Sequence, residues 1–160
     1  MQAPSPVLDP ERRLFFEDFE PGWTLTYGDR TVSRAEIVAF ASEFDPQPFH
    51  LDEMVARRTL FQGLAASGWH TAALTMRLLV DGDLRPAGGI VGVGLDELQW
   101  PRPVRPGDEL RLKSEVLDVR PSKSRPSQGL IKVRTTTLNQ HDEPVQIQVA
   151  SLLVLRRQTE

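Results

Sequence analysis

The chain contains no cysteine, and this absence excludes disulfide bonds, zinc ribbons, iron–sulfur clusters and a thiol nucleophile. It has no run of about 20 apolar residues, the length that a membrane-spanning helix needs. It also has no excess of one charge, since 19 Lys and Arg face 22 Asp and Glu, for a net charge of −3. The N-terminus lacks the apolar core of a signal peptide. We therefore expect a cytoplasmic protein that binds neither membranes nor nucleic acid.

Several common site motifs are missing as well. The chain has neither a G-x-x-x-x-G-K-[ST] loop for nucleotide phosphates nor the G-x-S-x-G turn of ordinary serine hydrolases. The glycine-rich stretch 88–94 does not match the dinucleotide fingerprint, so its glycines are expected to allow strand bending or the close approach of a ligand. The histidines and carboxylates match no metal-binding motif. We expect neither a metal nor another cofactor.

The 160 residues suit a single domain. Residues 1–13 are rich in proline and polar side chains and are predicted to form a flexible arm, which leaves residues 14–157 for the domain. Ser33 and Glu36 match a capping box ahead of an amphipathic helix that must end near Phe44, because a proline-containing loop follows.

A short helix is predicted over 51–60, and a more apolar one over 68–80. Apolar residues occupy nearly all faces of the second helix, so we expect it to be buried on most sides. Residues 14–31 hold a candidate strand, and four long strands are predicted at 89–100, 109–120, 129–139 and 144–156. The order of elements favours an α+β fold in which an antiparallel β-sheet wraps around a central α-helix.

A loop with two prolines carries the main candidates for chemistry. Asp45 and His50 enclose Pro46 and Pro48, whose fixed φ angles reduce the freedom of the loop. A carboxylate and an imidazole held in a fixed relation suit general acid–base catalysis, because one group can take a proton while the other gives one. On spacing alone a structural alternative stays open, in which Asp45 closes a local turn and His50 fills a gap.

The start of the apolar helix is a second candidate region. Ser67 and Gly68 lie where free amides meet the positive end of the helix dipole, and such an end can bind a carbonyl oxygen that gains negative charge. An ordinary N-cap serine followed by a tight turn is the alternative. Of the remaining histidines, His70 in the first turn of the apolar helix is expected to pack or hydrogen-bond, with the lining of a pocket as the alternative, and His141 is expected to lie in a solvated turn.

Residues 40–74 resemble the MaoC-like, (R)-specific enoyl-CoA hydratase family, which has the hotdog fold. The family pattern D-x-N-P-hydrophobic-H is matched by residues 45–50, which read Asp-Pro-Gln-Pro-Phe-His. The later phenylalanine and the A-H-G of the pattern are matched by Phe61 and by Ala-Ser-Gly at 66–68.

Further resemblance lies downstream, in the strand at 92–96 and the proline-rich turn at 100–108, so that it extends over about residues 17–156. Three positions depart from the family pattern. Gln47 replaces an asparagine, Ser67 replaces a histidine, and Phe44 replaces a glycine.

The resemblance implies an enoyl-CoA hydratase or 3-hydroxyacyl-thioester dehydratase. This hydro-lyase would add water to a trans-2-enoyl-CoA or remove it from an (R)-3-hydroxyacyl thioester. Asp45 would be the base on water, and His50 would orient that water and handle the proton of the α-carbon. The backbone amide of Gly68, with Ser67 beside it, would form the oxyanion and substrate-binding site.

The resemblance also implies a homodimer that joins edge to edge, with a coenzyme A or acyl-carrier-protein thioester as its partner molecule. Basic side chains near the pocket mouth would then meet the phosphates of coenzyme A, with candidates at Arg102, Arg105, Lys123 and Arg125. Two other functions stay open. One is a hotdog acyl-CoA thioesterase, in which the same carboxylate directs water at the carbonyl, and the other is a non-catalytic subunit that binds acyl thioesters.

Overall fold

A computed structural model describes residues 11–159, so residues 1–10 of the predicted flexible arm lie outside the described residues. The elements run in chain order as a 3-10 turn (Phe16–Asp18), β1 (Thr24–Thr31), α1 (Arg34–Phe44), α2 (Pro48–Leu51), α3 (Glu53–Ala56), α4 (Gly68–Asp81), β2 (Val91–Gln99), β3 (Glu109–Pro121), β4 (Gln128–Leu138) and β5 (Pro144–Leu155).

The five strands form one antiparallel sheet in the order β1-β3-β4-β5-β2. This confirms the α+β prediction, and β1 is the fifth strand that the early extended segment suggested. β5 lies between β4 and β2, as its continuously apolar second half indicated. Along β4, Ile131, Val133 and Thr135 are buried and their neighbours are more exposed, so one face of the sheet covers the core.

Helix α4 supplies the element around which the sheet curves. Its Leu74, Leu78 and Leu79 are 5% exposed and belong to the same core as the strand residues. Burying each such side chain contributes about 1.5–3 kcal/mol. Thr75 and Thr137 are both fully buried and place their hydroxyls 2.6 Å apart, which satisfies the two polar groups between α4 and β4.

The prediction that α4 is buried on most sides is wrong for one face. Trp69, Met76 and Val80 are 61%, 41% and 57% exposed. Met76 faces Leu95 of β2 across a cavity of 330 Å³ that both side chains line. Trp69, Met76 and Val80, which contributed to the prediction of a buried helix, therefore form an exposed apolar surface beside the edge strand β2, here called the open strip of α4.

The predicted helix over 51–60 is instead the pair α2 and α3. Asp52 separates them in an extended conformation with φ −139° and ψ 121°. Its side chain accepts a hydrogen bond from the Val55 amide at 3.0 Å, which caps α3. Because α2 starts as early as Pro48, the helical turn includes His50 and sets the direction of its side chain.

Candidate functional site

The loop that follows α1 brings Asp45 and His50 together. Helix α1 ends at Phe44, and Asp45 leaves the helical conformation with φ −151° and ψ 65°, as expected of a residue before proline. Pro48 occupies the first turn of α2, where the missing amide proton of proline costs no hydrogen bond. The two prolines thus end one helix and start the next within the span between the two candidate residues.

Asp45 and His50 face each other, with Asp45 Oδ2 3.3 Å from His50 Nε2. The other ring nitrogen, Nδ1, lies 2.6 Å from the carbonyl oxygen of Ala65. A carbonyl oxygen can only accept, so Nδ1 carries a proton and donates it. Nε2 is therefore the nitrogen that can give or take a proton, and it is the one that faces the carboxylate. His50 is 5% exposed, and this geometry is sheltered from bulk water.

Two more donors hold the Asp45 carboxylate. Ser67 Oγ donates to Oδ2 at 2.7 Å, and Gln47 Nε2 donates to Oδ1 at 2.5 Å. Burial raises the pKa of Asp45, but the hydrogen bonds from Ser67 and Gln47 and the nearby imidazole of His50 outweigh it, and the pKa lies below its usual value. The carboxylate is therefore ionised at neutral pH, the form that can accept a proton.

Gly68 is the first residue of α4, and its amide is among those without a partner inside the helix. A Cβ atom at this position would lie 2.7 Å from the indole ring of Trp100, so any other residue would displace that ring. Trp100 is held in turn by its Nε1, which donates to Oε1 of the fully buried Gln146 at 2.9 Å. The indole covers one side of Gly68 while another side stays open to a cavity.

That cavity has a volume of 620 Å³ and is lined by His50, Ala66, Gly68, Thr71 and Trp100, among others. The cavity brings His50 and the amide end of α4 into one space. Asp45 and Ser67 do not line it and are connected to it through the contact of Asp45 with His50 and the hydrogen bond of Ser67 to Asp45. All four residues predicted for the site are thus brought together. However, the Ser67 hydroxyl lies on the carboxylate, whereas the sequence prediction placed Ser67 with the oxyanion-binding group.

The three departures from the family pattern have distinct surroundings. Phe44 is 65% exposed and packs its ring on Phe40, with centroids 5.0 Å apart, and it does not line the cavity. Gln47 and Ser67 both donate to Asp45. Two of the three substitutions therefore act on the candidate base, and the sequence pattern offered no signal that they share this one partner.

The basic residues proposed for phosphate binding are mostly committed elsewhere. Arg105 lines the cavity, but its guanidinium donates to the carbonyl oxygens of Gly63 at 2.8 Å and Leu64 at 3.2 Å, and also to that of Phe61. Arg102 also lines the cavity, and its guanidinium pairs with Glu143 at 3.0 Å. Lys123 and Arg125 are not among the residues that line the cavity. Arg105 therefore fixes the loop ahead of α4.

The other two histidines lie apart from this site. His70 is buried and stacks on Phe40, with centroids 4.7 Å apart and an interplanar angle of 7°. Burial lowers the pKa of His70. His141 is exposed in the turn between β4 and β5, as predicted.

Comparison with known proteins gives the family. The model of the MaoC like domain matches residues 18–139. The chain belongs to the MaoC-like domain family. The crystal structure of a MaoC-like dehydratase from Rhodospirillum rubrum superposes with a TM-score of 0.88 at 54% identity and covers 91% of this chain and 99% of that one.

Two curated relatives of this MaoC-like protein are informative. The 3-hydroxybutyryl-CoA dehydratase of Methylorubrum extorquens is 37% identical over 120 residues, 74% of each chain. The Bacillus subtilis protein YdeM, which is uncharacterized, is 33% identical over 140 residues and covers 88% of this chain and 98% of its own. The sheet around a central helix is thus the hotdog fold. None of the helices among residues 11–159 is long and apolar enough to cross a membrane.

Proposed function

We propose that this MaoC-like protein is a hydro-lyase that adds water to a trans-2-enoyl-CoA thioester, or catalyses the reverse dehydration of an (R)-3-hydroxyacyl thioester. The single observation that carries the proposal is the contact between Asp45 Oδ2 and His50 Nε2, at 3.3 Å, beside a cavity that also reaches Gly68. The name of the Methylorubrum relative supports the same class of reaction.

In the hydration direction, the Asp45 carboxylate takes a proton from water as the water oxygen bonds to C3 of the enoyl group. The electron pair of the double bond moves toward the thioester, and the negative charge collects on the thioester oxygen. The amide of Gly68 donates to that oxygen, aided by the positive end of the α4 dipole. No part of α4 needs to move for this step, since the amide already lies at the start of the helix.

In the proposed cycle His50 starts with a proton on Nε2 as well as on Nδ1, and Nε2 then delivers its proton to C2, which completes the addition. The proton held by Asp45 returns to His50 across their contact, and both groups regain their starting states. The hydrogen bond from Nδ1 to Ala65 keeps the reactive nitrogen directed at Asp45 throughout. Dehydration uses the same groups in reverse order.

A panel of enoyl-CoA thioesters of increasing chain length, followed by loss of the absorbance of the conjugated double bond, tests this proposal. The wild-type protein should hydrate at least one member, and the matched variant Asp45→Asn should not. Release of free thiol without loss of the double bond would instead indicate a thioesterase. Saturable acyl-CoA binding without either reaction would indicate a non-catalytic subunit.

The working unit is a homodimer joined through the β2 edge. Val91, Val93 and Leu95 on β2 are 44%, 57% and 54% exposed, and a sheet edge leaves backbone groups unpaired. The open strip of α4 lies beside this edge, so pairing of two copies would cover both surfaces. Sedimentation of the wild type and of Val93→Lys tests this, since a charge at the edge should shift the protein toward monomer.

A further inference from the structure

We propose that Ser67 is a positioning residue for the proposed reaction, which holds the Asp45 carboxylate through its hydroxyl and takes no direct part in binding the thioester oxygen. This inference rests on the proposed function for its kinetic consequences. It revises the sequence-based expectation that Ser67 lies with the oxyanion-binding group.

The Ser67 side chain does not cap the helix that it precedes. Ser67 is the N-cap residue of α4, a position where serine usually accepts a hydrogen bond from the third amide of the helix. Here it makes no such bond. Ser67 is a buried residue, only 1% exposed. Its Oγ donates instead to Oδ2 of Asp45, 22 positions earlier in the chain, at 2.7 Å.

In the hydrogen bond between Ser67 and Asp45, the hydroxyl is the donor. An ionised carboxylate can only accept, so the hydroxyl proton of Ser67 is committed to Asp45. It is then not available for a thioester oxygen, and that task falls to the amide of Gly68.

The hydrogen bond between Ser67 and Asp45 joins two separate segments of the site. Asp45 lies in the loop after α1, whereas Ser67 immediately precedes the Gly68 amide at the start of α4. The hydrogen bond therefore fixes the base relative to the oxyanion donor. His50 is tied to the same segment through Ala65, whose carbonyl accepts from Nδ1 and whose amide donates to the carbonyl of Phe49 at 3.1 Å.

A consequence for pH dependence follows. Asp45 is faced by the titratable His50 from α2, by Ser67 from the start of α4, and by Gln47 from its own loop. A hydroxyl that donates to the charged form favours ionisation. Removing it should raise the pKa of Asp45, so that the base is protonated, and activity lost, at a higher pH than in the wild type.

The experiment compares Ser67→Ala and Ser67→Thr with the wild type, in profiles of kcat/KM against pH and in carbon-13 NMR titrations of the Asp45 carboxyl. A hydrogen bond to a charged group suggests that Ser67→Ala moves the acid limb and the Asp45 titration up by about one pH unit or more. Ser67→Thr keeps the hydroxyl and should restore the wild-type limb. A residue with a merely structural role would lower stability and leave the Asp45 titration in place.

The matched control is Ser42→Ala, because the exposed Ser42 hydroxyl donates to the carbonyl of Val38 within α1 and has no hydrogen bond to Asp45. It should leave the acid limb and the Asp45 titration unchanged. If Ser67→Ala fails to fold, Ser67→Gly replaces it, since glycine is tolerated at an N-cap.

An unchanged Asp45 titration in a folded Ser67→Ala or Ser67→Gly would overturn the inference. The NMR titration needs no turnover, so it remains decisive if the wild type proves inactive on every thioester. In that case the proposed function fails while the role of Ser67 is judged separately.

Discussion

The two buried histidines, His50 in α2 and His70 in α4, are each 5% exposed and yet have opposite surroundings. Both nitrogens of His50 face polar partners, Ala65 on one side and Asp45 on the other. His70 stacks on Phe40, and its buried Nδ1 has no hydrogen-bond partner among residues 11–159. Equal burial thus gives one imidazole a route for proton transfer and makes the other a packing group. The partners of a buried histidine, rather than its burial, decide what chemistry it can perform.

The sharpest way to break this contrast is Asp45→Asn, which leaves His50 a buried imidazole without a carboxylate partner. The amide cannot accept the proton of water, so we expect kcat to fall by about 10³-fold. Hydration of the best enoyl-CoA in the panel measures the loss. Circular dichroism should match the wild type, and a variant that retained its activity would remove Asp45 from the mechanism.

Substituting phenylalanine at each histidine tests the contrast between His50 and His70 directly, because an aromatic ring stays in place and the two ring nitrogens are lost. His50→Phe should reduce kcat by about 10²-fold, as the proton donor to C2 is gone. It also leaves the Ala65 carbonyl without its partner, which should lower the free energy of unfolding by about 1–3 kcal/mol. Steady-state kinetics and urea denaturation measure the two effects.

The matched variant His70→Phe should keep the activity, because the His70 ring stacks on Phe40 and its buried Nδ1 has no hydrogen bond to the site among residues 11–159. Its stacking on Phe40 is retained and an unpaired polar atom is removed, so the free energy of unfolding should change by less than about 1.5 kcal/mol. Urea denaturation and the enoyl-CoA assay provide the measurements. A loss of activity as large as that of His50→Phe would show that the two histidines share a role.

The smallest expected effect is a difference in pH dependence. Burial lowers the pKa of folded His70 below the ordinary value of 6.5, against an opposing effect of Glu36 and with a smaller supporting one from Arg30. As the pH falls below that value, the unfolded chain therefore binds more protons at His70 than the folded chain does. The contribution of His70 is fully present above pH 6.5 and is lost as the pH falls through the lowered pKa.

The test compares urea midpoints of the wild type and His70→Phe from about pH 8 to pH 5. The stability of the wild type should decline more steeply below the ordinary histidine pKa than that of the variant. Parallel curves would mean that His70 binds protons equally well in the folded and unfolded chain.

Patterns within short stretches were sufficient for much of the fold. The capping box of Ser33 and Glu36 is present at the start of α1, α4 begins at Gly68, and alternation located the strands. These features depend on neighbours a few residues apart, which the sequence displays directly. The pairing of Asp45 with His50 belongs here too, because two prolines and one helical turn lie between them.

Contacts between distant segments were decided only by tertiary structure. The Ser67 hydroxyl could have capped its own helix, but the approach of the α1 loop offered it Asp45 instead. Trp100 lies on Gly68 because the segment after β2 returns to the start of α4. Arg105 looked like a phosphate ligand until the loop at 61–64 placed carbonyl oxygens around its guanidinium. Such contacts cannot be predicted from chain order and composition, because the partner of a polar side chain depends on how remote elements pack around it.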